Sequence, residues 1–253
     1  MRPDFYDTYF DAETKHWWCR GRAHILMSVL DRAVGSGSPR HRRILDVGCG
    51  TGAMTARLAR FGTTEGIDED PKAVELCSRR GLASVRQVSG LPLPYGADEF
   101  HVVTALDVLE HLDDDDAMLR EISRVLRPGG TLLVSVPAYR FLWGQQDVIA
   151  QHRRRYTSSE LGSLLTRSGL AVRRLSYFNT LLFPAVASVR IMRRWLGTAS
   201  RPKSDFEMAL PQPLNEALAR VFAMEALVLA HRDLPFGVSV LGIAEKLPSA
   251  VAT

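Results

Sequence analysis

The sequence predicts an α/β protein built on a doubly wound, mostly parallel sheet of seven strands. Two observations carry that prediction. Apolar runs of strand length alternate with segments of helical periodicity, the pattern of a parallel sheet with helices on both faces. The first strong apolar run, Ile44, Leu45 and Val47, also ends in Gly48, Gly50 and Gly52 before a helical pattern begins. Glycines there let the backbone turn tightly and let a ligand press against it. Taken alone, the glycines fit a plain tight turn. With a strand before them, a helix after them and Asp46 inside the strand, they fit the start of a nucleotide-binding βαβ unit.

The elements follow in order. Ile25, Leu26, Val29 and Leu30 have helical spacing, behind an aromatic and basic stretch from His16 to Arg22. Two readings fit that stretch: a staple packing the N-terminal helix on the core, or a lid over the ligand site with Trp18, Arg20 and Arg22 facing an anion. Gly35 to Pro39 reads as a flexible connector. Met54, Leu58 and Phe61 mark the helix after the glycines. Thr64 to Asp68 is a second strand ending in an acid, and Asp70 with Pro71 caps and starts a helix. Ser84 to Val88 is a third strand, and Phe100 to Leu106 a fourth.

The acids Asp113 to Asp116 suit the first turn of a helix, opposite the positive end of its dipole. Leu126 to Gly130 reads as that helix's close. Thr131 to Val136 is a central parallel strand. Thr157 to Glu160 is a capping box for another helix. Leu170 to Phe178 and Phe236 to Ala244 are the last two strands. Between them lie an apolar helix from Leu181 to Leu196 carrying Arg190, Arg193 and Arg194, a proline-rich stretch from Pro202 to Pro213, and a helix from Leu214 to His231. The chain thus divides into an N-terminal helical lid (1–40), a ligand-binding core (41–179), a helical cap insertion (180–234), and a final strand with its tail (235–253). The first cap helix could lie on a membrane surface, giving peripheral contact. It could equally bury its apolar face on the core or in a homodimer.

The 253 residues are 46% hydrophobic and 24% charged, which suits one large domain or one domain with an insertion. A net charge of +4 does not imply a nucleic-acid binder. Every basic chain except Lys15, Lys72, Lys203 and Lys246 is arginine. Arginine suits bidentate recognition of phosphate and carboxylate, and a GC-rich genome gives the same bias. Cys19, Cys49 and Cys77 show no disulfide or zinc pattern. Met1 to Asp11 is unlike a secretory signal, and no run would span a bilayer, so the expected location is cytoplasmic.

Asp46 to Gly52, Asp68, the Leu-Pro-Leu loop at Leu91, Asp107 to Leu112 and Leu126 to Gly130 together resemble the class I S-adenosylmethionine-dependent methyltransferases of the small-molecule type, over Ile44 to Val136. A nicotinamide-binding Rossmann enzyme is the rival. It usually shows Gly-x-Gly-x-x-Gly, whereas here the third glycine comes one residue early. The resemblance implies a Rossmann-like fold and S-adenosylmethionine as donor. Gly48 and Gly50 would let the backbone approach its methionine part, and Asp46 would attract its ammonium. Asp68, followed by Glu69, would offer two acceptor oxygens to the ribose hydroxyls. Gln87, with Val88 beside it, stands where the family often has an acid for the adenine amine. The carbonyls of Ala105 and Leu106 would meet the amino group.

Methyl transfer is an in-line displacement that depends on alignment, and a hydroxyl or unactivated carbon acceptor also needs a base. Glu110 and His111 follow the fourth strand at the carboxyl edge, where ligands bind in such sheets, and are the base candidates. They could instead only shape the cofactor pocket. Asp107, Glu110 and His111 also resemble the Glu-x-x-Glu-His arrangement of ubiquinone-biosynthesis O-methyltransferases, which bind magnesium, with Asp at the first position here. That makes Mg2+ a candidate second cofactor. Tyr139, Trp143, His152, Arg153, Arg154, Arg155 and Tyr156 follow the fifth strand. As an acceptor site they would hold a small molecule with an anionic group and an apolar body. Examples are a prenyl diphosphate, a lipid- or nucleotide-linked sugar, or a quinone-precursor acid. As a solvated loop they would hold nothing. An RNA methyltransferase would usually bring a longer basic surface, and a non-catalytic cofactor-binding partner protein needs only the donor residues.

Overall fold

The computed structural model describes residues 5–35, 41–196 and 210–248. The chain opens with helices α1 (Tyr6–Lys15) and α2 (Trp17–Val34). Alternation then begins: β1 (Arg43–Val47), α3 (Ala53–Leu58), β2 (Thr63–Asp68), α4 (Pro71–Arg79), β3 (Val85–Gln87), β4 (Phe100–Leu106), α5 (Asp115–Val125) and β5 (Leu126–Pro137). After these come α6 (Gln145–Ala150), α7 (Ser158–Arg167), β6 (Leu170–Phe178), α8 (Phe183–Leu196), α9 (Gln212–Ala223), α10 (Glu225–Leu229) and β7 (Ser239–Lys246).

The seven strands form one sheet in the order β3-β2-β1-β4-β5-β7-β6. The pairs β1–β2, β1–β4, β2–β3 and β4–β5 are parallel. β7 runs antiparallel to both β5 and β6. The order reverses at β1, which places a crevice at the carboxyl ends of β1 and β4.

Side-chain alternation splits the core into two layers. Leu45, Val103, Leu132 and Val134 face α5 and α7 through Leu119, Ile122, Leu161 and Leu165. Ile44, Val102, Leu133 and Ile243 face the other way, onto Ile25, Leu26 and Leu30 of α2 and Phe222 and Leu229 of α9 and α10. The second cap helix is therefore part of the main core. Gly21 permits this: a Cβ there would stand 2.5 Å from the Phe222 ring.

Local signals act as the residues predict. Asp70 caps α4 by accepting from the Lys72 N–H at 2.8 Å, with Pro71 in the first turn. Asp114 caps α5 by accepting from Ala117 N at 2.7 Å. Thr157 and Glu160 form the capping box of α7. Four expectations shift. Leu126 to Gly130 belongs to β5, because Leu126 already pairs with Phe100 and the register slips before Thr131 pairs with Val102. β7 starts at Ser239 instead of Phe236, because Gly237 passes against the Phe178 backbone. The helix from Leu214 to His231 is two helices, α9 and α10, breaking at Met224. The acidic, aromatic N-terminus, read only as lacking a signal, forms α1. Gly35 is described; the rest of the connector to Pro39, the proline-rich stretch up to residue 209, and the side chains of Arg193 and Arg194 lie outside the described residues. No helix of the described residues is long and apolar enough to cross a membrane.

Candidate active site

A cavity of about 800 Å³ opens at the carboxyl edge of the sheet. Its floor comes from the ends of β1, β2 and β4, its near wall from α1 and α2, and its far wall from α6 and α8.

The glycine turn builds one half. Gly48 and Gly50 take left-handed φ values of 65° and 54°, and a Cβ on Gly48 would stand 2.5 Å from Val108. That conformation favours glycine and strips side chains from the face a ligand would meet. Asp46 is buried, and its two oxygens accept from Thr104 Oγ1 at 2.6 Å and Thr55 Oγ1 at 2.7 Å. Burial pushes its carboxyl up to about 6 against the pull of those hydroxyls. Asp68 accepts from the backbone N–H of Gly50 at 2.8 Å and of Asp70 at 3.0 Å. Each of its oxygens keeps a lone pair for a further donor. A buried carboxylate beside a stripped turn, with a second carboxylate at the next strand end, fits the ammonium and ribose of S-adenosylmethionine. Glu69, Val88 and Leu106 line the same space.

Ala105 and Gln87 do not line it: Ala105 lies in the β-ladder opposite Val134, and Gln87 is exposed with its amide donating to the Glu69 carbonyl at 3.1 Å. Tyr6, Tyr9 and Glu13 of α1 do line it, and sequence reasoning passed over them. Glu13 accepts from Thr51 at the glycine turn and from Arg80 Nη2 at 2.8 Å, which clamps α1 over the donor half.

The other half begins where β4 ends. Asp107 has a φ of 59°, rare for a residue with a side chain. Arg22 of α2, itself buried, reaches its Oδ2 at 2.8 Å, and Ser135 donates to its Oδ1 at 2.9 Å. Glu110 is fully buried with neither oxygen hydrogen-bonded. Burial and the Asp107 charge hold its carboxyl well above the usual range, favouring the neutral form. Burial and the neighbouring His152 push the His111 imidazole down to about 3. The His111 and His152 rings meet edge-on with centroids 4.8 Å apart.

Asp147 of α6 is fully buried. Burial would raise its carboxyl, but the hydrogen bond from His152 and the Arg155 charge reverse that and hold it at about 2. The sequence signal for it was its place five residues before His152 and eight before Arg155.

The sequence grouped seven residues after β5, and the structure disperses them. His152 and Arg155 line the cavity; Tyr139, Trp143, Arg153 and Tyr156 do not. Arg153 donates to the His111 carbonyl at 2.8 Å and pairs with Asp113. Arg154 pairs with Asp115 at 3.2 Å, and the Tyr156 hydroxyl donates to the same carboxylate at 2.7 Å. Arg155 is buried in a bidentate pair with Asp147 at 2.7 and 3.0 Å. Tyr139 stacks on Tyr177, and Trp143 is exposed. Of the lid residues, Trp18 and Arg22 line the cavity, whereas Arg20 turns to Glu216 of α9. Leu182 lines it just before α8, which contributes Ala185, Val186, Val189 and Arg190.

Magnesium does not fit these residues. It asks for hard oxygen ligands in near-octahedral geometry. The groups that converge are Glu110, His111 and His152, with ligand atoms within 4.8 Å of one another: one carboxylate and two imidazoles. Asp107 is held away from them by Arg22.

Comparison with known proteins gives a family. A family profile described as "Methyltransferase domain" matches residues 18–175. A ubiquinone biosynthesis O-methyltransferase of Xanthomonas oryzae pv. oryzae is 37% identical over 139 residues, covering 50% of this chain and 58% of that relative. The chain thus spans little more than half the length of that curated relative. The solved structure of the [4+2]-cyclase SpnF is 25% identical, with a TM-score of 0.56, and covers 88% of this chain and 81% of its own. Phosphoethanolamine N-methyltransferase 2 of Haemonchus contortus, solved with S-adenosyl-L-methionine, shares the fold at 17% identity and a TM-score of 0.56, over 88% of this chain and 52% of that one.

Proposed function

The chain belongs to the methyltransferase domain family, of the class I S-adenosylmethionine-dependent type, and from that premise we propose that it methylates a hydroxyl oxygen on a small, largely apolar acceptor. One observation carries the proposal. A single cavity joins Asp46, Gly50 and Asp68 to Glu110, His111 and His152, with Leu182 and, from α8, Ala185 and Val186 as its apolar wall. Its volume of about 800 Å³ lies in the range of small-molecule sites. A donor and a modest acceptor can share such a space.

The bound donor supplies an electrophilic methyl group on a positively charged sulfur. This chain's residues do the rest. Asp46 and Asp68 hold the donor's two ends, α1 closes over it, and α8 covers the acceptor. A quinone precursor, a hydroxylated ring with an apolar tail, fits that wall, and the named Xanthomonas relative favours the same class. A prenyl diphosphate or other phosphorylated acceptor is less supported. The cavity cations Arg22 and Arg190 already face Asp107 at 2.8 Å and Asp147 at 3.6 Å, and Arg153 and Arg154 bind internal partners.

The test is mass spectrometry over a panel of hydroxylated aromatic, prenylated phenolic and phosphorylated acceptors, each incubated with the protein and S-adenosylmethionine. The expected result is a gain of one methyl on a phenolic acceptor and none on its deoxy analogue. Methylation confined to phosphorylated acceptors would contradict the reading.

A further inference from the structure

Asp147 and His152 belong to none of the motifs that mark the donor site, yet the fold ties the His152 ring, at the cavity, to the buried Asp147 behind it. The Asp147 carboxylate accepts from Arg155 Nε and Nη2 at 2.7 and 3.0 Å, from the Gly144 N–H at 2.7 Å, and from His152 Nδ1 at 2.8 Å. The His152 backbone N–H donates to the Asp147 carbonyl at 2.8 Å, so residue and ring are both tied. Arg155 is in turn braced by the Ala138 carbonyl at 2.8 Å, at the end of β5.

The chemistry of the bond fixes the tautomer. Asp147 stays ionised, and an ionised carboxylate offers only acceptors. The nitrogen facing it, Nδ1, must therefore carry the hydrogen. Nε2 keeps its lone pair and lies at the cavity, 3.9 Å from Glu110 Oε1. The surrounding groups do not compete for its role. Glu110, from the turn after β4, is pushed towards its neutral form by burial and the Asp107 charge, which weakens it as a proton acceptor at that edge. His111, from the same turn, is a weak base. Arg155 and, from α8, Arg190 pair with Asp147.

We propose that Asp147 and His152 form the catalytic dyad of this protein, His152 Nε2 being the base that takes the proton of the acceptor hydroxyl. The assignment rests on the reading that an oxygen is methylated. In the step, the acceptor O–H bond breaks and its proton binds Nε2. The oxygen forms a bond to the donor's methyl carbon, the methyl–sulfur bond breaks, and its electron pair stays on sulfur as a neutral thioether. The imidazolium, steadied by the Asp147 charge, later releases the proton to water. Asp147 is a positioning residue: it selects the tautomer and does not accept the proton.

The experiment pairs 15N NMR of the histidine rings with kinetics on the full chain. Wild type is expected to show His152 protonated on Nδ1 and bare on Nε2. His152→Gln is expected to lower kcat by about 10²–10⁴-fold, the usual worth of a positioned base. Its KM for S-adenosylmethionine should stay within about threefold, because Asp46 and Asp68 are untouched. Its pH–kcat profile should lose the acidic limb that an imidazole base gives. Asp147→Asn also frees Arg155, so His152→Gln is the deciding variant. Hydroxyl methylation that survives His152→Gln, or an Nε2–H tautomer in wild type, overturns the dyad. The expected tautomer with no hydroxyl acceptor ever methylated overturns the O-methylation reading instead.

Discussion

The two halves of the cavity are built by opposite means. In the donor half, the chain's own backbone makes the site: Gly48 and Gly50 are bare, Asp68 is anchored by two backbone N–H groups, and Asp46 by two threonine hydroxyls. In the acceptor half, charged side chains make the site and mostly satisfy one another: Arg22 with Asp107, Arg155 and His152 with Asp147. Glu110 alone among these carboxyls has no hydrogen-bond partner. The donor half is thus a fixed receptacle for one ligand. The acceptor half is a braced frame at which Glu110, His111 and His152 meet the cavity.

Breaking the frame should cost most. Asp147→Asn leaves Arg155 buried beside a neutral amide, and losing one partner of a buried pair typically costs about 3–5 kcal/mol. Denaturant unfolding at pH 7 should show a loss of that order. Because the Asp147 carboxyl is held at about 2 in the fold against an ordinary 3.8, its contribution is present above 3.8 and lost as pH falls through about 2. The gap between wild type and variant should close over that acidic window. An undiminished gap at the acid end would place the bracing elsewhere.

The core packing behind the near wall comes next. Gly21→Ala would set a Cβ about as close as 2.5 Å to the buried Phe222 ring, where α2 crosses α9. In place of the gain a helical Gly→Ala change usually brings, overpacking predicts a loss of about 1–3 kcal/mol. A stabilised variant in thermal unfolding would mean that α9 yields freely.

The smallest effect is a pH dependence confined to the donor half. Asp46 titrates at about 6. As pH falls through that value its negative charge is lost, and its attraction for the donor's ammonium with it. Calorimetry should show S-adenosylmethionine affinity falling several-fold from pH 7.5 to 5, an amount set by one partly screened charge. Flat affinity across that range would mean that the ammonium is held by backbone alone.

The same contrast explains what could be read from the sequence. Leu45 to Gly52 holds strand, acid and turn within eight residues, so local periodicity and glycine spacing suffice. Glu110, His111 and His152 were visible as residue types. What was not visible was direction. Arg153, Arg154 and Arg155 are consecutive, but the chain there is extended and turns each to a different carboxylate: Asp113, Asp115 and Asp147. A basic run that reads as one anion site is three internal pairs. The walls from α1 and α8 come from distant parts of the chain, and only tertiary packing brings Tyr6 and Val186 to one cavity.

The division of labour itself is tested most directly by donor binding in two variants. Asp68→Ala removes the anchor of the glycine turn and the acceptor for the ribose, and charge-assisted hydrogen bonds worth about 1.5–3 kcal/mol each predict an affinity loss on the order of 100-fold. His152→Gln should bind S-adenosylmethionine as wild type does, within about threefold, while its methyl transfer collapses. Equal losses of donor affinity in both variants, measured by calorimetry on the full chain, would contradict a cavity divided into donor and acceptor halves.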